Sequence, residues 1–144
     1  INDNMGRYVA RNTIKRMLRN GMDVPRCRIG VLGITFKENC PDIRNSKVAD
    51  LVRELESNNT QVIVADPYAD PAEVELEYGI TLGEITPATP VDALVVAVGH
   101  APYRAMPPAE LKALTRGDKP VLIDVKALYD HRACAAAGFT VFRL

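Results

Sequence analysis

The sequence has no tryptophan, only three cysteines among 144 residues, no net charge and no initiator methionine. Cys27, Cys40 and Cys134 are odd in number and widely spaced, which excludes a disulfide framework and a CxxC zinc site and suits a reducing cytoplasm. No apolar run approaches the roughly 20 residues that span a bilayer, so a membrane protein is excluded. The amino terminus lacks the basic-then-apolar segment that directs secretion. Equal numbers of bases and acids, 18 of each, give no general pull toward phosphate backbones. Because it opens on Ile1-Asn2-Asp3 without a methionine, the chain is expected to be a piece of something longer.

What is present is an ordinary globular composition, 47% hydrophobic and 25% charged. It suits one soluble domain with a buried core and excludes disorder. The charges are unevenly placed. Residues 1–28 hold seven bases against Asp3 and Asp23, whereas residues 66–92 hold seven acids and no base. The basic stretch lacks the aromatic interleaving of a nucleic-acid surface and reads as a solvated helix.

Apolar spacing predicts a helix over 3–20, capped by Asp3 or Asn4, with an imperfect stripe of Met5, Val9, Ile14, Met17 and Leu18. Beyond Pro25, apolar strand-like runs at 27–35, 61–65, 93–98, 121–125 and 140–143 alternate with helical patterns. The helical patterns fall at 47–57 (with Ser46 as N-cap), 71–78, 108–115 and 131–137, and Gly79–Leu82 reads as a brief connecting strand or loop. Apolar strands alternating with amphipathic helices require a parallel sheet covered on both faces. The expectation is a Rossmann-like, doubly wound α/β domain, preceded by one helix that does not belong to it. Ligands bind such sheets at the carboxyl ends of the strands, near the switch in strand order. The loops to inspect are therefore 36–45, 66–70, 99–106 and 126–130.

The loop after the first strand carries Gly30 and Gly33 followed by Ile34-Thr35-Phe36-Lys37, so the GxGxxG dinucleotide fingerprint fails. It is also too long to set a pyrophosphate on the following helix start by the usual geometry. Asp66 stands where a ribose-binding acid would lie, a weak signal without the glycines. The loop nevertheless holds Lys37, Asp42, Arg44, Asn45 and Ser46, with Phe36 available to stack on a base. Lysine meets phosphate as a point charge and arginine as a fork. Composition alone equally describes a solvated loop whose charges pair with one another. Lys126, just past a buried strand, is comparable. Cys40 has no neighbouring histidine to activate it and reads as a bystander. Asp42 reads as positioning Arg44, His100 as a ligand contact, an acid–base group or a structural residue, and His131 as the start of the last helix with no role. No metal site is read.

The run Gly33-Ile34-Thr35-Phe36-Lys37-Glu38-Asn39-Cys40-Pro41-Asp42-Ile43-Arg44-Asn45-Ser46 closely resembles the GLxFKxxxxDxRxS segment of the UDP-glucose/GDP-mannose dehydrogenase family, at the start of its carboxy-terminal nucleotide-sugar-binding domain. Ile1-Asn2-Asp3-Asn4-Met5 resembles the end of that family's central dimerisation helix, and Asp66-Pro67 and Asp124-Val125-Lys126 also fit. The resemblance implies a division into residues 1–24, the end of the dimerisation helix and a connector, and 25–144, the UDP-sugar-binding domain. It implies that Phe36 and Lys37 meet the uridine and diphosphate, and that Lys126 stands where a basic residue, often Arg, meets the UDP-sugar. It implies that Arg44 reaches NAD held mainly by an amino-terminal domain, and that the full enzyme is a homodimer, cytoplasmic, without nucleic acid or membrane partners. Val98-Gly99-His100-Ala101-Pro102-Tyr103 is similar to the AVAHxxF segment of members that oxidise UDP-N-acetylhexosamines, with Gly99 in place of the usual alanine.

The family's nucleophilic cysteine, its assisting Lys and Asn, and its NAD-binding fingerprint lie upstream of the central helix, so no catalytic residue is expected in this chain. The implied parent is an NAD-dependent 6-dehydrogenase that makes UDP-uronic acids for surface polysaccharide from UDP-N-acetylglucosamine or UDP-N-acetylgalactosamine; a UDP-glucose 6-dehydrogenase is the alternative. A reading of another class is a receiver-like signalling module. That module needs clustered acids after the first strand, where this chain has Thr35-Phe36-Lys37.

Overall fold

The computed structural model describes residues 3–144, with Asp3 through its backbone alone. Ile1, Asn2 and the expected capping by Asp3 lie outside the described residues. Each of the five apolar runs becomes a strand: β1 (Arg28–Leu32), β2 (Gln61–Ala65), β3 (Ala93–Val96), β4 (Val121–Asp124) and β5 (Thr140–Arg143). They form one parallel sheet in the order β2-β1-β3-β4-β5. The chain runs one way from β1 to β2 and the other way from β3 onward, so the order reverses between β1 and β3.

Position in the sheet explains which strands are apolar throughout. The inner strands β3 and β4 are buried at every residue and β1 at all but Arg28, whereas the edge strands β2 and β5 are mostly half-buried. Alternate residues serve two cores. Ile29, Val31, Val95 and Ile123 face one, and Leu32, Leu94, Val96 and Leu122 face the other. Gly79–Leu82 forms no strand, and Leu82 makes a single parallel bridge to Val64.

The helices are α1 (Asp3–Arg19), α2 (Val48–Glu56), α3 (Pro71–Tyr78), α4 (Ala101–Arg104), α5 (Pro108–Ala113) and α6 (His131–Ala136). The N-cap position of α2 falls on Lys47, one residue later than expected and without a side-chain cap bond, while Ser46 Oγ accepts the Val48 N–H at 3.3 Å. The short α4 was not anticipated from the sequence.

The expectation that the first helix stands apart from the sheet domain is corrected. Val9, Ala10, Thr13 and Met17 of α1 are fully buried, packed with Ile29, Leu51, Leu55 and Val95 in one core. Of the expected stripe, Val9 and Met17 are buried, Met5 and Ile14 partly so, and Leu18 stays 59% exposed. Gly6 makes the approach possible: a Cβ there would lie 3.2 Å from Leu51 N and 3.3 Å from Lys47 O on α2.

Candidate functional site

The carboxyl ends of β1 and β3, on either side of the reversal in strand order, open into a cleft of about 470 Å³. Its walls come from the loop after β1, the start of α2, the loop after β3 and the loop after β4. Lys37, Lys47, Arg104 and Lys126 bring four cations to it, and Glu38 brings one acid. Phe36 stands at its wall 59% exposed, an aromatic face left for a ligand rather than for the core. Such a cleft suits a polyanion joined to a flat ring: lysines neutralise phosphate, an arginine fork grips it, and a base stacks on phenylalanine.

The loop after β1 reaches the cleft because it is folded back on itself. Phe36 N–H donates to Asp42 O at 2.7 Å, and Tyr78, at the end of α3, donates its hydroxyl proton to Ile43 O while accepting Ser46 N–H at 3.0 Å. In consequence Asn45, Lys47 and Val48 border the cleft. The start of α2 thus reaches the cleft despite the length of the loop before it. Gly33, at φ +98°, makes the turn out of β1; a Cβ there would come within 2.6 Å of Val98 Cβ.

Behind the cleft lies a closed polar network. Asp66, at the end of β2, has a fully buried side chain. Its Oδ2 accepts Ile34 N–H at 2.8 Å and Thr35 N–H at 3.3 Å, and its Oδ1 accepts the Tyr68 and Ala69 N–H groups at 2.8 and 3.0 Å. His100 is also fully buried, with Nε2 2.9 Å from Asp66 Oδ2 and 3.1 Å from Thr35 Oγ1, and Nδ1 accepting Asn39 N–H at 2.9 Å. Burial pushes the Asp66 carboxyl up, but the His100 bond and the Ile34, Tyr68 and Ala69 N–H groups outweigh it and hold the group below its ordinary value. Asp66, which stands where a ribose-binding acid would lie, is therefore consumed inside the protein. His100 does not line the cleft.

The loop after β4 has its own buried anchor. Asp124 Oδ1 and Oδ2 accept Leu128 and Tyr129 N–H at 2.9 and 3.0 Å, curling the chain so that Lys126 borders the cleft. Tyr129 donates its hydroxyl to Tyr103 O at 2.7 Å, and Tyr103 donates to Ala65 O at 3.3 Å. Burial raises both phenols above the ordinary range. At the end of α4, Arg104 donates Nε–H to Gly99 O at 3.1 Å and pairs with Glu38 at 3.2 Å across the cleft.

Of the residues singled out from the sequence, Phe36, Lys37 and Lys126 thus come together on one cleft. Arg44 does not join them. It is 83% exposed and forked onto Asp42, accepting no role inside the cleft; the two guanidinium bonds measure 3.0 and 2.9 Å. Arg44 hydrogen bonding draws the Asp42 carboxyl down to about 2, so Asp42 orients Arg44 as expected. Cys40 is half-buried and does not line the cleft. Sequence reasoning missed Arg104 and Lys47. The signal for Lys47 was its place directly after Ser46; Arg104 is drawn in by Glu38, 66 residues away, which no local pattern announces. Among the described residues, no cluster of three or more His, Cys, Asp or Glu could hold a metal, and no helix is long and apolar enough to cross a membrane.

Residues 30–131 match the UDP-glucose/GDP-mannose dehydrogenase family, UDP binding domain. The chain is 42% identical over 126 residues to a UDP-N-acetyl-D-glucosamine 6-dehydrogenase of Salmonella typhi, covering 88% of this chain and 29% of that protein. It is 40% identical over 131 residues to the protein of the same name from Pseudomonas aeruginosa, covering 91% and 31%. In fold it is similar to an NDP-N-acetyl-D-galactosaminuronic acid dehydrogenase from Methanosarcina mazei, with a TM-score of 0.87 at 22% identity over 99% of this chain and 29% of that one. The chain thus spans about three-tenths of the length of these relatives.

Proposed function

The chain belongs to the UDP-glucose/GDP-mannose dehydrogenase family and carries its UDP binding domain, and from that premise we propose that the cleft holds the UDP part of a UDP-sugar. The observation that carries this reading is the convergence of Phe36, Lys37 and Lys126, from two loops about 90 residues apart, on one cation-rich cleft at the switch in strand order. In this reading Phe36 stacks on the uracil, and Lys37, Lys126 and the newly found Arg104 neutralise the diphosphate. The full-length protein is then a UDP-sugar 6-dehydrogenase, oxidising the C6 hydroxyl to a carboxylate with two equivalents of NAD in the cytoplasm, for surface polysaccharide. The names of the Salmonella and Pseudomonas relatives favour a UDP-N-acetylhexosamine over UDP-glucose.

This chain's own residues do not fit NAD. The turn after β1 is closed by Val98 against Gly33, and the acid a ribose would need, Asp66, already accepts four backbone N–H groups. NAD accordingly belongs to another part of the full-length protein. Arg44, exposed and held outward by Asp42, is the residue of this chain that reaches it. The division at residue 24 and dimerisation through the first helix are part of the same proposal; α1 contributes its exposed face, including Tyr8 and Leu18.

Calorimetric titration of this chain with UDP tests the site directly. UDP should bind, UMP more weakly and uridine least, and the affinity should fall with salt. Equal binding of UDP and uridine would contradict the assignment of the lysines. In the full-length protein, UDP-N-acetylglucosamine should drive NADH formation, and Arg44→Ala should raise the Michaelis constant for NAD more than that for the sugar nucleotide. The isolated chain should produce none.

A further inference from the structure

His100 occupies an unusual place relative to the Phe36-Lys37 pair. Its ring is wholly buried, yet it bonds the chain on both sides of that pair: Thr35 just before it and Asn39 two residues after. The bonds also fix which nitrogen carries the proton. Nδ1 faces the Asn39 N–H, a donor, so it is an acceptor; Nε2 faces the Asp66 carboxylate and is the donor, its hydrogen shared with Thr35 Oγ1. Thr35 Oγ1 spends its own hydrogen on Lys37 O at 2.9 Å, a bond the ring does not have to supply. Asn39 stands at φ +57° and returns its side-chain Oδ1 to Ala101 N–H at 2.7 Å, tying the same loop to the residue after His100. Three strand ends, those of β1, β2 and β3, meet on one imidazole.

We propose that His100 is a positioning residue for nucleotide binding: as the neutral Nε2–H tautomer it sets the loop on which Phe36 and Lys37 stand, without touching the ligand. The proposal rests on the reading of the cleft as the UDP site. It assigns different work to the two ring nitrogens. The Nε2 bond to Asp66 holds the strand ends together and serves stability. The Nδ1 bond holds Asn39 and serves the ligand-facing loop.

The two functions can be separated, because a glutamine amide nitrogen lies near the site of Nε2 and an asparagine amide oxygen near the site of Nδ1. His100→Gln keeps the donor to Asp66 and loses the acceptor for Asn39; His100→Asn does the reverse. In UDP titrations of this chain, His100→Gln should weaken binding about tenfold, the scale of one lost hydrogen bond to a ligand-bearing loop. Its melting temperature should be the higher of the two. His100→Asn should melt lower yet bind UDP within about twofold of the parent. Affinity that simply follows melting temperature in both variants would overturn the proposal. Lys37→Ala serves as the reference: if it leaves UDP binding intact, the site reading itself fails, and if it weakens binding while His100→Gln does not, only the positioning role fails. Long-range 1H–15N spectra of the unmodified chain need no variant. They should show His100 with a protonated Nε2 and a bare Nδ1, and a protonated Nδ1 would also overturn the proposal.

Discussion

Two loops carry lysines to the same cleft, and each hangs on a buried aspartate, but the two aspartates work at different ranges. Asp124 accepts N–H groups from Leu128 and Tyr129, four and five residues ahead on its own loop. Asp66 reaches back 32 residues to Ile34 and forward 34 to His100. The first is a local cap, the second a clasp between segments that meet only after the sheet has assembled. A local cap shapes one loop. A clasp makes the shape of a loop conditional on the whole strand order, which is how a long polar segment such as 35–46 can hold a ligand-ready geometry with few apolar contacts of its own.

Removing the clasp should have the largest effect. Asp66→Ala leaves four backbone N–H groups and His100 without their acceptor, and should cost about 3–4 kcal/mol in urea denaturation. Its acid behaviour has a definite sign. The folded-state carboxyl lies below its unfolded value, so its contribution is complete above about pH 4 and is lost as pH falls through the folded value. The parent should therefore lose stability below pH 4 more steeply than Asp66→Ala; parallel curves would show that the carboxylate is not the anchor.

Next in size is the functional contrast between the loops. Lys37→Ala should weaken UDP binding by about 1.5–3 kcal/mol, the scale of a charge-assisted bond, and Lys126→Ala by about 1 kcal/mol, because a single lysine on a locally capped turn is freer to leave. Reversed magnitudes would mean that the local cap presents the better-ordered cation. Asp124→Asn keeps one carbonyl acceptor and should cost only about 1–2 kcal/mol of stability. A loss matching that of Asp66→Ala would erase the distinction between cap and clasp. The smallest effect lies outside both loops' anchors. By carboxyl 13C titration Asp42 should show a midpoint near 2, returning toward the ordinary range in Arg44→Ala, with UDP binding unchanged.

The same contrast explains what the sequence made legible. Strands were readable because a parallel inner strand is apolar on both faces, so Ala93–Val96 and Val121–Asp124 announce themselves by composition. Lys126 was readable because it lies just past such a strand, and Lys37 because the loop after the first strand gathers charged residues beside Phe36. The partnership of Asp66 with His100 was not, since each alone looks like a ligand group at a strand end. Only the strand order, with β1 lying between β2 and β3, brings them together behind the intervening loop. Helix α4 escaped because four residues are too few for a periodicity, and α1 was misjudged because four of its five stripe residues find full or partial cover on α2 and the sheet while Leu18 does not.

Gly6 gives α1 a mechanical character. With no side chain between them, the α1 backbone rests against Lys47 O and Leu51 N, in the turn of α2 that borders the cleft. A side chain at this point would act as a compliant pad whose rotamers absorb small displacements. Backbone against backbone leaves no such slack. A side chain at position 6 would have to push α1 and the first turn of α2 apart, at the rim of the cleft.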